Sequence, residues 1–261
     1  MILAPFSLPE RDPWGIKTGK AYTPFINVYE SGSIGTLHRI RDPLIDRNHH
    51  YLSGGEAAYH CALCLLDGVV DIREQYPLVP LERTVEIAKK LGVSHPIKGR
   101  SPIEVSVDFM LTIANEKQEI RYLARSYKPS KDLLKKGIVN RQALECAACI
   151  DRSVPWKLAT DLEINADMAA RARWLFRIYI DRPRYHVDAS VADRFVDALS
   201  KQYLDQSLRI VLARSASLCS MSAPDALALF RHLVCTRRLK VDLTRPLSLK
   251  DPHLALAENF K

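Results

Sequence analysis

The sequence predicts a mixed α/β domain over residues 1–180 followed by a smaller, mainly helical domain over 181–261. Short apolar runs rich in Val, Ile and aromatic residues alternate with helix-spaced stretches up to about residue 160. That is the pattern of a sheet covered by helices. Asp181-Arg-Pro-Arg184 interrupts it, and from Asp188 onward the apolar spacing is helical almost throughout.

The first stretch, rich in proline, reads as an extended arm. Residues 22–29 and 35–40 read as a hairpin turning at Ser31-Gly32-Ser33. A helix opens at Ser53 or Gly54, carries Glu56, Tyr59, Cys61, Leu63 and Leu66, and ends at Gly68. Residues 69–75 form a strand, 77–80 an irregular exit, and 81–91 a helix stopped by Gly92. Two strands follow, 105–113 and 122–128, joined by a polar turn at 115–119, the second stopped by Pro129. A helix over 137–151 leads to a strand at 156–159, and another helix covers 165–177. In the second domain, helices are expected at 191–203, 206–218 and 224–237, the last with Ser222 as N-cap and Pro224 in its first turn. Residues 239–243 alternate apolar and polar, so a strand is expected there. Helices followed by a short ribbon suggest a winged-helix-like module.

Hydrophobic residues make up 47% and charged residues 26%, ordinary for a globular protein. No run approaches the roughly 20 apolar residues of a membrane span. The Pro-rich start lacks the charged head and apolar centre of a signal peptide, so a cytoplasmic location and no membrane partner are expected. The net charge of +8 favours a polyanionic partner, because neutralising phosphates releases counterions.

The chemistry concentrates on Glu56, Asp108 and Lys128. Asp108 sits among apolar neighbours in a strand, where a charge is costly unless paired or bound to a metal. Glu56 opens a helix, a place that also suits a carboxylate through the helix dipole. Lys128 ends a strand. Two carboxylates can hold a divalent cation through oxygen, and a nearby lysine can orient water for attack on phosphate. Ser126 shares a strand face with Lys128. Cys61/Cys64 and Cys146/Cys149 are Cys-x-x-Cys pairs, but both lie in helical segments without the turns of a zinc knuckle. They read as packed, reduced thiols.

An ordered series of short motifs sharpens this reading. It runs through His38-Arg39-Ile40, His49-His50, Leu52-Ser53, Glu56 and Asp71-Ile-Arg-Glu-Gln-Tyr-Pro-Leu78. It continues through His95-Pro96, Val107-Asp108-Phe109, Lys128-Pro129, Val154-Pro155-Trp156, Thr160-Asp161 and Glu163-Ile164-Asn165. Over about residues 20–180 the chain resembles the TnsA family of transposon endonucleases. The resemblance implies a restriction-endonuclease-like first domain and a small helical domain behind it. It implies Mg²⁺ as cofactor, with Mn²⁺ able to substitute, held by Glu56, Asp108 and Ser126. Glu56, Asp108 and Lys128 would be catalytic. Ser126 stands where the wider nuclease superfamily usually has a longer Glu or Gln. His49, His50, Arg73, Lys131, Lys135 and Lys136 would lie along DNA. Glu74 and Gln75 would line the cleft, and Glu145 would support the fold.

The implied reaction is hydrolysis of the non-transferred strand at transposon ends. The implied partners are transposon-end DNA, a TnsB-type transposase and a TnsC-type AAA+ ATPase. An alternative is a catalytically weakened assembly factor that binds DNA ends and the ATPase; a zinc-dependent regulator using the cysteine pairs is a third. Arg209, Arg214, Arg231, Arg237, Arg238 and Lys240 suggest a docking surface for the ATPase in the second domain.

Overall fold

In chain order the elements begin with β1 (His38–Asp42), β2 (Arg47–Tyr51), α1 (Gly54–Cys64), β3 (Val69–Pro77) and α2 (Leu81–Leu91). A short ribbon, β4 (Ile97–Lys98) and β5 (Ser101–Pro102), precedes β6 (Ser106–Ala114) and β7 (Ile120–Tyr127). After them come α3 (Lys136–Asp151), β8 (Trp156–Ala159), α4 (Ala166–Phe176), α5 (Ile178–Asp181), α6 (Ala189–Ser200), α7 (Leu208–Leu218) and α8 (Ala223–Cys235). The computed structural model describes residues 6–26, 38–202, 205–252 and 256. Two compact units emerge, Met1–His60 with Gly68–Asn165, and Cys61–Asp67 with Ala166–Lys261. The break expected at residues 180/181 falls inside the second unit, at the end of α5.

The first unit is built on a mixed sheet in the order β3-β6-β7-β8, with β3/β6 and β6/β7 antiparallel and β7/β8 parallel. The parallel pair needs a crossover, which α3 supplies. The central strand β6 is buried along nearly its whole length, so apolar residues occupy both of its faces rather than alternating, with Asp108 and Thr112 as buried polar exceptions. Tyr76, Leu78, Ile87, Val105, Val107, Met110, Ala124, Leu144, Ala148 and Cys149 form one core. Phe109 points to the opposite face and meets Tyr59 of α1 edge-on, ring centroids 5.4 Å apart. Asp108, beside Phe109 in β6, therefore shares a face with Met110, the face that α3 covers. α2 ends as expected at Gly92, whose φ of 66° and backbone N–H close the last turn.

The hairpin is a correction. Residues 22–26 form no strand, and the expected Ser31-Gly32-Ser33 turn lies outside the described residues. The observed hairpin is β1–β2, pairing His38 with Tyr51 through Asp42 with Arg47. It is tied to β3 by charge rather than by an apolar stripe. The Arg47 guanidinium donates to both carboxylate oxygens of Glu74 at 2.9 and 2.8 Å and to the Ile72 carbonyl at 2.8 Å.

In the second unit, α8 is the buried central helix, with Ala226, Leu229, Phe230, Leu233 and Val234 inside. Ser222 caps it as expected, accepting from the Asp225 N–H at 3.2 Å. The strand expected at 239–243 does not form. Instead the chain folds back over the end of α8, the N–H groups of Arg238 and Leu239 donating to the Leu233 carbonyl at 2.8 and 3.1 Å. Leu239 is buried by that wrap rather than by a neighbouring strand. Without a ribbon among the described residues of this unit, the winged-helix-like expectation gives way to a helical bundle. No described helix is long and apolar enough to cross a membrane.

Candidate active site

The antiparallel register of β6 and β7 sets Asp108, near the start of one strand, against the end of the other. One carboxylate oxygen, Asp108 Oδ2, accepts from the Tyr127 backbone N–H at 2.8 Å and from Lys128 Nζ at 2.9 Å. Asp108 is almost buried, whereas the Lys128 side chain keeps 23% exposure at the rim. Burial works against the Lys128 charge. The carboxylates of Asp108, Glu145 and Glu56 outweigh it and hold the ammonium above the ordinary lysine range. Lys128 is therefore a permanent cation and donor near neutral pH, not a base.

Glu56 comes from the first turn of α1 through a capping box. Its N–H donates to Ser53 Oγ at 3.1 Å, that hydroxyl donates to Glu56 Oε1 at 3.0 Å, and the Leu52 N–H donates to Oε2 at 3.2 Å. Burial, then the charge of Asp108, pushes the Glu56 carboxyl up to about 7. The helix approaches β7 so closely that a Cβ on Gly55 would lie 2.2 Å from the Tyr127 ring. Glycine at 55 is what lets Glu56 reach this position.

Ser126 is completely buried, and its hydroxyl is committed to protein partners. It donates to Glu145 Oε2 at 2.6 Å and accepts from Trp156 Nε1 at 3.2 Å. The metal-ligand expectation for Ser126 is thereby revised: it holds a carboxylate in place instead of offering its own oxygen. That carboxylate belongs to Glu145 on α3, also contacted by Arg141 Nε at 3.0 Å. Burial, then the charge of Asp108, pushes Glu145 up to about 7 as well. Glu145, expected only to support the fold, sits electrostatically within the same cluster as Glu56, Asp108 and Lys128. The clue in the sequence is an acid on the buried stripe of α3 with Gln142, Leu144, Ala148 and Cys149. Three buried carboxylates, Glu56, Asp108 and Glu145, form a hard oxygen donor set. Such a set fits a divalent cation of the Mg²⁺ type.

Two of the expected DNA contacts lie elsewhere. Arg73 is fully buried, paired with Asp12, 3.4 Å from Asp71 Oδ2, and stacked 4.8 Å from the Tyr76 ring centroid. His49 is fully buried, its Nδ1 2.9 Å from Glu74 Oε2. Glu74 is itself buried; His49 and Arg47 overcome that cost and hold its carboxyl well below the usual range. These groups pin the hairpin and the N-terminal arm, so neither side chain reaches a surface where phosphate could meet it. His50 is half-buried, and burial lowers its ring below the usual histidine value. Lys131, Lys135 and Lys136 are exposed, Lys135 pairing with Asp132 at 2.7 Å.

The Cys-x-x-Cys pairs lie on α1 and α3 with Cys61, Cys64 and Cys149 buried, and burial pushes the Cys149 thiol up to about 12. In the second unit, Arg231 turns inward, 4.4 Å from the Trp174 ring centroid. Arg238 and Lys240 pair with Asp193 and Asp67, and Arg237 donates to the Leu66 carbonyl at 2.8 Å. The six cations expected to form one docking surface are thus partly spent within the unit.

Comparison with known proteins agrees with this geometry. Residues 67–161 match the TnsA-like endonuclease N-terminal family, and residues 163–243 match the TnsA endonuclease C-terminal family. Among curated proteins, the Transposon Tn7 transposition protein TnsA of Escherichia coli is 33% identical over 160 residues. The match covers 61% of this chain and 58% of that protein, less than two thirds of the relative's length. With both family regions present side by side and in order, the chain belongs to the TnsA family.

Proposed function

We propose that this chain is a Mg²⁺-dependent DNA endonuclease subunit of a heteromeric transposase that cleaves the non-transferred strand at transposon ends. The observation that carries the reading is the convergence of Asp108, Glu56, Glu145 and Lys128 in one electrostatic cluster at the rim of a sheet. Glu56, Asp108 and Glu145 would hold Mg²⁺, or Mn²⁺ in its place. When bound, the cation supplies Lewis-acid activation of the scissile phosphate. The Tyr127 N–H fixes the Asp108 carboxylate, leaving Oδ1 unclaimed by that bond. Lys128 Nζ, kept protonated, donates to the attacking water or to a non-bridging phosphate oxygen and offsets developing negative charge. Hydrolysis leaves a 3′-hydroxyl and a 5′-phosphate.

On this reading His50, Lys131, Lys135 and Lys136 contact the DNA backbone. A TnsB-type transposase acts beside the chain, and a TnsC-type AAA+ ATPase docks on the helical unit. The alternative of a weakened assembly factor rested on the short side chain of Ser126. A Glu145 carboxylate held at that position weighs against it. The test is nicking of end-containing DNA with Mg²⁺ and the partner proteins. Asp108→Ala should lower the rate at least about 100-fold, and cleavage by the variant at the unaltered rate would overturn the assignment.

A further inference from the structure

Between α2 and β6 the chain makes the β4–β5 ribbon, in which Ile97 pairs with Pro102 and Lys98 with Ser101. Gly99, at φ 64°, and Arg100 make the two-residue turn. Every residue from Ile97 to Pro102 is exposed. A Cβ on Gly99 would meet nothing within 4 Å, so the tip stands in open space. The base, in contrast, is fastened. Ile103 N–H donates to the Pro96 carbonyl at 3.0 Å, and Leu78 N–H to the Val105 carbonyl at 2.7 Å. Thr84 Oγ1 lies 2.9 Å from His95 Nε2. A two-stranded ribbon gains little stability by itself. This one buries none of its side chains yet is held at its root.

Lys20 and Lys201 pair with carboxylates. Lys98 and Arg100, like Lys89, Lys90, Lys131 and Lys136, form no salt bridge among the described residues, so their charge stays available to an outside anion. The ribbon leads directly into β6, and the short link from Pro102 to Ser106 spans at most about 14 Å of extended chain. Asp108 is near the start of that strand, opposite the end of β7 that carries Lys128. Lys131 and Lys136 leave the sheet from that β7 end. Two basic segments therefore depart from the rim where the candidate active site sits.

We infer that the β4–β5 ribbon is a DNA-contacting arm, with Lys98 and Arg100 engaging phosphates along a groove beside the scissile bond. The inference rests on the nuclease reading above. Two-stranded ribbons fit grooves of duplex DNA, and flexible cationic side chains at a bare tip suit its phosphates.

The test measures binding of the full chain to end-containing duplex by fluorescence anisotropy across a salt series. Asp108→Asn is the common background, so no strand is cut. Adding Lys98→Ala with Arg100→Ala should flatten the slope of log affinity against log salt by about 1.8, twice the roughly 0.9 expected per phosphate. Affinity near 0.1 M salt should fall roughly tenfold or more on the same basis. Lys89→Ala with Lys90→Ala, which removes equal charge from the exposed end of α2, should leave the slope much closer to the parent. An unchanged slope in the ribbon variant, or equal flattening in both pairs, overturns the arm. If the parent binds no duplex at any salt, the nuclease reading itself fails. Thermal melts by circular dichroism confirm that each variant folds.

Discussion

Asp108 Oδ2 bridges the Tyr127 N–H and the Lys128 ammonium, so one carboxylate oxygen fixes both the end of a strand and the cation beside it. The same charge raises the proton affinity of Glu56 on α1 and of Glu145 on α3. Glu56 and Glu145 thus share one perturbing neighbour.

That grouping predicts an unusual pH profile of stability. Glu56 and Glu145 rise from 4.5 in the unfolded chain to about 7 in the folded one. Their contribution is complete below about pH 4.5 and is lost as pH climbs through about 7, each at up to about 1.4 kcal/mol per pH unit. The urea midpoint should therefore be lower at pH 8 than at pH 5, and Glu145→Gln should shrink the difference. Mg²⁺ should raise the melting temperature more at pH 8 than at pH 5, and less in Glu145→Gln. Midpoints independent of pH, with equal Mg²⁺ shifts in both chains, would remove the carboxylate cluster as the cation site.

Ser126 acts through Glu145. Ser126→Ala deletes the hydrogen bond that holds the Glu145 carboxylate down, so its pKa should climb further. The acidic limb of the cleavage profile should move to higher pH, with the rate near pH 7 falling several-fold and recovering at more alkaline pH. Loss of the buried bond should also cost about 1–2 kcal/mol of stability. A rate lowered equally at every pH would leave Ser126 a packing residue only.

Gly55→Ala tests the approach of α1 to β7. The added methyl would collide with the Tyr127 ring, which packs against Tyr59 with centroids 5.9 Å apart. The expected cost is about 1–3 kcal/mol of stability, with cleavage reduced because Glu56 is carried on the displaced turn. Tyr127→Leu in the same chain should recover part of both losses. Full activity and stability in the single variant would show that the helix can move without consequence.

Elements whose own side chains dictate them were legible in the sequence. α2 carries its period and a terminal glycine, β6 carries an apolar run long enough to announce burial, and β7 is stopped by Pro129. The β1–β2 hairpin was not legible, because its sequence, His38 to Tyr51, is crowded with Arg and His. It is held down by Glu74 from a distant strand rather than by an apolar stripe. Residues 239–243 misled for the opposite reason: alternation is a local property, whereas a strand needs a neighbour. Glu56, Asp108 and Lys128 stand out by type and frame, and the structure brings them into one electrostatic cluster. The burial of Arg73 was not legible, since nothing local foretells a partner at Asp12, 61 positions earlier. Glu145 is not legible as part of the cluster, because only the fold reveals which strand its helix covers.

The bond between Ser126 and Glu145 has a bearing on how members of this family are compared. An acid delivered from a helix to a serine on the neighbouring strand divides one function between positions 19 apart in the chain. On the nuclease reading, a longer acid at 126 would release 145 to drift, and a serine at 126 would leave the carboxylate to 145. The two sites should therefore change together through descent. On the nuclease reading, a survey that scores only the strand would discard chains of this kind, although a carboxylate reaches the same place from the helix that follows.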